Sequence, residues 1–356
     1  MKKPGLLLCL LLPIGGVAQT NSAAPAACAQ CHVEALTQPS TYMAHALETV
    51  NKSKILIDHP LLTTTVGQYS YRIERKGTES QYSVTDGTAT LTMPIRWAMG
   101  ASSAIGQTFI LEKDAELYES RVSWFRELEG LGPTMGSSGS TPVDITAAAG
   151  RLMSGDDKRR CFGCHATHAV EGKQLTLEKL TPGVQCGHCH QDIDAHLAAM
   201  VAGNHGAAPP PDLHKLIGLS AEQASNFCGQ CHRTWAEIAL QGNPSIANIR
   251  FQPYRLTGSK CYDPDDARIS CLACHNPHHD FGPQPMNFDS KCLACHGSAK
   301  VAAGKPASPK AGAKVCPVAK SNCVSCHMPK LDLPGAHFKF TDHRIRIVKP
   351  NEPYPG

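Results

Sequence analysis

At 356 residues the chain has room for one large domain or two ordinary ones. Its 34 basic against 30 acidic side chains, a formal charge of +4, leave no electrostatic footprint for nucleic acid or an anionic membrane. The 17 Cys and 18 His stand against 9 Phe, 8 Tyr and 3 Trp, too few aromatics for an ordinary core of this size, so something else is expected to fill part of the interior.

The chain opens as an export signal would. Lys2 and Lys3 supply a positive start, Leu6 to Leu12 a short apolar run, and Gly16-Val17-Ala18 a small-residue cleavage site, so residues 1–19 read as a signal peptide. The run is too short to span a bilayer, and no later stretch reaches the ~18–20 apolar residues of a transmembrane helix. Cys9 follows Leu8, where a lipid-anchoring signal wants a small residue, so lipidation is not expected. The mature protein is expected in the periplasm or at the outer cell surface.

Residues 20–61 contain Cys28-Ala29-Gln30-Cys31-His32. Residues 62–150 hold neither cysteine nor histidine. They alternate in strand fashion over 69–74, 80–84 and 88–93, with turns at Gly77 and Asp86-Gly87, and read as a small inserted antiparallel region. Residues 151–347 return to the cysteine pattern six times. The copies are Cys161-Phe162-Gly163-Cys164-His165, Cys186-Gly187-His188-Cys189-His190 and Cys228-Gly229-Gln230-Cys231-His232, then Cys271-Leu272-Ala273-Cys274-His275, Cys292-Leu293-Ala294-Cys295-His296 and Cys323-Val324-Ser325-Cys326-His327. Helical signals there are short, and Pro209-Pro210-Pro211 marks a long irregular connection. Residues 348–356, with Pro350, Pro353 and Pro355, read as an extended tail.

With this composition, chance yields about 0.04 copies of the pattern; seven are present and use 14 of the 17 cysteines. Two thiols three positions apart on one helical turn reach the two vinyl groups of a haem as thioethers, and the adjacent histidine falls under the iron as an axial ligand. Zinc sites and disulfide scaffolds also use paired cysteines, but neither requires a histidine directly after the second one. The reading is therefore seven covalently bound haem c groups in a mostly α and irregular, haem-packed multihaem cytochrome c fold, with a small inserted antiparallel β region. Cys261 and Cys316 lie outside the motifs, and in an oxidising compartment such a pair is expected to form a disulfide.

Each iron needs a second axial ligand unless its site is open. Eleven further histidines can supply them: His45, His59, His168, His188, His196, His205, His214, His278, His279, His337 and His343. A solvent-exposed histidine is the bland reading of each. His45 on a short helix after the first motif, His196 six residues after His190, and His278 three after His275 are the better placed. His278 faces away from its own haem and can reach the next one. His337 and His343 follow the last motif, and His59 precedes Pro60. Met43 and Met328 are alternatives, but Met328 directly follows a motif histidine and cannot reach the far face. Bis-histidine ligation and low potentials follow.

The chain resembles the multihaem cytochromes of the cytochrome c-554 type, including forms fused to tetratricopeptide repeats. The resemblance rests on Met43-Ala44-His45, on Cys228 to Arg233, and on Cys271 to His275 followed by Asn276-Pro277-His278. It also rests on Cys323 to His327 with Met328-Pro329-Lys330, and on Thr341-Asp342-His343-Arg344-Ile345. It covers nearly the whole mature chain and implies electron transfer in the cell envelope, with His45, His196, His278 and His343 as distal ligands. Where such proteins carry a Gly-Pro segment after the third motif, this chain has Gln191-Asp192-Ile193-Asp194. The expected partners are other cytochromes or membrane quinol oxidoreductases, with a homo-oligomer or filament open and neither nucleic acid nor a transmembrane segment involved. The alternative is a multihaem oxidoreductase acting on a small nitrogen or sulfur compound at one open haem, with Tyr42, Tyr118 or His168 lining it.

Overall fold

The computed structural model describes residues 28–101, 105–137, 139–190, 193–204, 216, 218–241, 245–280, 287–297, 316–349 and 352. The signal-peptide reading, Cys9, His205, His214 and most of the tail lie outside these residues.

Nine strands form one sheet. They are β1 (Leu47–Thr49), β2 (Leu61–Val66), β3 (Tyr69–Lys76), β4 (Glu79–Thr85), β5 (Thr90–Met99), β6 (Gly106–Lys113), β7 (Glu116–Phe125), β8 (Gly130–Pro133) and β9 (Gly150–Leu152). The order runs β2-β3-β4-β5-β6-β7-β8, with β1 on β5 and β9 on β7, every pair antiparallel. β2 returns beside β8, so the sheet nearly closes on itself.

The period-two alternation sets the register. Tyr71 faces Val84 and Tyr82 faces Met93, and these side chains fill an inner core with Ile73, Phe109, Leu111 and Val122. Gly77 and Gly87 turn the hairpins with φ of +65° and +91°, a region that suits glycine.

The expectation of a mostly α and irregular fold with a small β region is overturned. The described residues are 34% helical and 27% strand, and the sheet dominates the first half of the chain. The helices are short because the motifs need only one turn to present two thiols. Cys186–Cys189 and Cys271–Cys274 are 4 residues long and Cys323–His327 is 5. The sheet is large because β6 and β7 carry apolar side chains toward both faces. Phe109 and Leu111 enter the inner core, while Ile110 packs outward with Leu117, Met153 and Phe162.

That outer face positions the second motif. Helix Gly155–His165 starts at a capping box between Ser154 and Asp157 and ends on the motif histidine. Its Phe162 is fully buried and meets Trp97 edge-on, centroids 5.1 Å apart. The ladder shifts register between Ile95 and Trp97, a bulge that bends β5 at this contact.

Candidate functional site

The motifs lie side by side, in an order that differs from the sequence. The thiols of Cys28 and Cys186 are in hydrogen-bonding reach, as are Cys164 with Cys231, Cys228 with Cys271, and Cys292 with Cys323. Cys189 lies near Cys228 and Cys231, and Cys274 near Cys292. Neighbouring attachment points thus run first, third, fourth, fifth, sixth, seventh, with the second beside the fourth.

Backbone contacts hold these neighbours. Val184 N–H donates to Met43 O at 2.9 Å and Gln38 Nε2 to Val184 O at 2.7 Å, joining the first and third segments. Asp289, at the start of helix Asp289–His296, accepts from Asn322 and Cys323 N–H at 2.8 and 2.9 Å and so caps the seventh motif's helix from the sixth. Those bonds hold its carboxyl below the usual carboxylate range.

Three motif histidines each face a histidine from elsewhere. His32 faces His196, His190 faces His278, and His275 faces His343, every pair with ring centroids 6.2 Å apart. With metal–imidazole bonds of ~2.0–2.1 Å and the centroid about 1.1 Å behind its nitrogen, two imidazoles across one metal have centroids about 6.3 Å apart. The observed spacing matches. Sequence position pointed His278 to the next haem after its own and placed His196 near the third motif; the fold sets His278 against the third motif and His196 against the first.

The imidazoles are also in the form a metal requires. Nδ1 of His165 meets Ala46 O at 2.9 Å, that of His327 meets Arg346 O at 2.8 Å, and that of His343 meets Thr341 O at 3.0 Å. Such bonds fix the tautomer and leave Nε2 for a metal. Burial lowers the pKa of His165, His232 and His275, and pushes His343 down to about 4, so each stays neutral near pH 7.

The remaining candidates fall differently. His45 bonds through Nδ1 to Glu48 Oε1 at 2.9 Å. His59 lies 6.0 Å from Trp124 and His337 4.8 Å from Phe125, so their ring neighbours belong to the sheet. His168, with φ of +58°, lies beside His188, and His279 is exposed. Cys261 and Cys316 are separate thiols rather than the expected disulfide, with Cys261 beside Cys292 and Cys295.

A cavity of about 1790 Å³ is lined by Cys161, Cys164, His165, His190, Cys231 and His232. That is well above the ~300–1,000 Å³ of a typical ligand pocket, room enough for large macrocycles. On its wall Arg250 stacks on Phe251 at 5.0 Å and donates Nη1 to Met135 Sδ at 3.0 Å, while its buried Nε has no partner. Among the described residues no carboxylate pairs with it, and burial together with Arg233 opposes its charge. A haem propionate would supply the missing anion, so the donors and this orphaned guanidinium fit haem c.

Comparison with known proteins agrees. A family model described as cytochrome c554 and c-prime matches residues 141–191, which include the second and third motifs. The chain is a multihaem c-type cytochrome. It is 23% identical over 202 residues to the multiheme cytochrome MtrA of Shewanella baltica (strain OS185), an alignment covering 54% of this chain and 50% of that protein. The cytochrome thus spans about half the length of the curated relative it matches. No solved structure matches it significantly. The class carries covalently bound haem c and transfers electrons. No described helix is long and apolar enough to cross a membrane.

Sequence reasoning missed three features of the site: Glu48, Arg250 and a buried Asp342. Asp342 is fully buried and accepts Arg255 Nε at 2.9 Å, Arg255 Nη2 at 3.0 Å and Arg346 Nη1 at 2.6 Å. Burial alone would raise this carboxyl, but bonds from Arg255 and from Arg344 N–H override it and lower the pKa. The network sits between His343 and the carbonyl of Arg346 that holds His327, so it braces histidines of two motif pairs. A charged residue beside a candidate ligand was the available signal.

Proposed function

We propose that the cytochrome carries seven haems, mostly bis-histidine ligated, and passes electrons along them outside the cytoplasm, from and to other redox proteins. His32, His165, His190, His232, His275, His296 and His327 are the proximal ligands, and His196, His278 and His343 cross to the haems of the first, third and fifth motifs. His45, His59 and His337 serve three of the four remaining irons. The observation that carries this reading is the 6.2 Å spacing repeated in three separate pairs of imidazoles. An iron with both axial positions filled leaves no site for a substrate, so the chemistry at the bis-histidine haems is outer-sphere transfer between neighbouring macrocycles. The adjacent attachment points support a line from the first motif through the third, fourth, fifth and sixth to the seventh, with the second as a side branch.

Mass spectrometry of the mature protein from a host with haem-attachment machinery tests the count. A mass above the bare polypeptide by seven haems is expected; fewer refutes it. Low-spin spectra with no carbon monoxide binding on reduction are expected for the carrier. A large high-spin fraction would instead favour the oxidoreductase.

A further inference from the structure

His45 differs from His165, His327 and His343 in what its Nδ1 meets. His165, His327 and His343 each face a neutral backbone carbonyl, at 2.8 to 3.0 Å. His45 faces the Glu48 carboxylate, at 2.9 Å. The Glu48 side chain is 8% exposed while that of His45 is 48% exposed, so the carboxylate is buried and the imidazole opens outward.

The carboxylate is held from behind. Gln107 Nε2 donates to Glu48 Oε2 at 2.6 Å, and Ser53 Oγ donates to Gln107 Oε1 at 2.9 Å. Gln107 is 1% exposed and Ser53 is fully buried. Glu48 itself lies on β1, opposite Ala98 of β5, so sheet bonds fix its backbone. Glu48, Gln107 and Ser53 therefore form one buried relay behind His45. A second carboxylate, Asp280, lies near His45 and accepts from Tyr42 N–H at 2.7 Å, adding negative charge on the same side.

We propose that Glu48 is a positioning residue that makes the haem held by His45 the lowest in potential of the set. The inference rests on reading His45 as an iron ligand. A full negative charge on Nδ1–H gives the imidazole part of the character of an imidazolate. It becomes a stronger donor to iron and stabilises the ferric form relative to the ferrous. The neutral carbonyls on His165, His327 and His343 do this far less. When one electron moves from a neighbouring ferrous haem to this ferric one, the neighbour becomes ferric and no proton leaves the ring. That transfer is uphill, so this haem is a thermodynamic step in the path that slows equilibration without closing it. The sheet thereby acts on the redox chain through a single hydrogen-bonded carboxylate.

The experiment is spectroelectrochemical titration of the mature holoprotein. In Glu48→Gln the lowest of the midpoint potentials is expected to rise while the others and the low-spin content stay as they were. A glutamine NH₂ would meet that of Gln107, so E48Q/Q107E serves as the second variant. It keeps one carboxylate in the relay but moves it one hydrogen bond from His45, and the same midpoint is expected to rise again. In the wild type, the low-spin signal with the strongest ligand field is expected to titrate at the lowest potential and to vanish in His45→Ala. If His45→Ala creates one high-spin haem but the Glu48 variants leave every midpoint in place, the ligand reading stands and this inference fails. The inference fails likewise if the signal lost in His45→Ala belongs to a haem of higher potential. If His45→Ala leaves all haems low-spin, the ligand reading fails and the inference with it.

Discussion

Asp342→Asn tests whether a buried ion cluster holds the C-terminal ligand segment. Asp342 is fully buried and Arg255 is 2% exposed, and two guanidinium groups converge on one carboxylate through three short bonds. Asparagine keeps the shape but removes the charge and turns one oxygen into a donor facing other donors. Removing one partner of a buried pair costs about 3–5 kcal/mol, because the remaining charge stays desolvated and unpaired. Urea denaturation of the holoprotein, followed by far-ultraviolet circular dichroism, is expected to show a loss of that size. Because His343 follows directly and faces His275 at 6.2 Å, a rise in high-spin haem is expected alongside it. A loss below about 1 kcal/mol with unchanged spin state would refute the argument, since a surface-like pair is worth no more. Acid supplies a second check. The folded carboxyl titrates below its unfolded value of ~3.9, so its contribution is complete above that pH and drains away as pH falls through the folded value. Asp342→Asn is therefore expected to flatten the acid limb of the wild-type stability curve.

His278→Ala is expected to convert one haem to a high-spin, carbon monoxide-binding form by removing the partner that lies 6.2 Å from His190, while haem content stays unchanged; optical and electron paramagnetic resonance spectra read this directly. Phe162→Ala opens a cavity between the sheet and the second motif's helix, where the ring is fully buried. A loss of about 3–5 kcal/mol in urea denaturation is expected, with the midpoint potential of the second haem altered more than the rest. Arg250→Gln removes a cation from the haem cavity, which favours the ferric state; one midpoint potential is expected to fall in a redox titration, and Arg250→Lys to restore much of it.

The chemistry was legible in the sequence because covalent haem attachment is local. Cys161, Cys164 and His165 share one helical turn, so a five-residue word carries the whole arrangement. Strands β3 to β5 were legible for a similar reason. Tyr69, Tyr71 and Ile73 alternate inward, and Gly77 and Gly87 punctuate the turns. The size of the sheet was not legible. Phe109, Ile110 and Leu111 form a continuous apolar run because both faces of β6 are covered, and such a run carries no period. Nor could spacing tell which iron a distal histidine reaches. By sequence His278 follows the fifth motif and points to the next haem, yet tertiary packing brings it to His190 of the third. Glu48 stood three residues after His45, a visible neighbour, but the importance of that contact depends on Gln107 from β6.

These two kinds of information imply a division in how the protein assembles. Thioether formation needs only a five-residue word, so each haem can be attached before the chain has folded. Axial closure is different, because in the proposed ligation His32 waits for His196, His190 for His278, and His275 for His343, each far downstream. Loop closure over such separations is slow and entropically costly. The sheet offsets part of that cost by fixing the region around the first and second motifs: β1 sits on β5, Phe162 packs against Trp97, and Ala46 holds His165. Among the described residues the C-terminal end has only a two-stranded ribbon, Lys330–Asp332 with Lys339–Thr341, and the Asp342 cluster next to it brings His343 and His327 into place there. The two ends of the redox chain are thus held by different physics, an extended hydrogen-bonded sheet at one and a buried ion cluster at the other. Acid, which discharges carboxylates and leaves strands paired, is expected to loosen the histidine ligation proposed at the fifth and seventh motifs before that at the first and second, while the thioethers keep every haem attached.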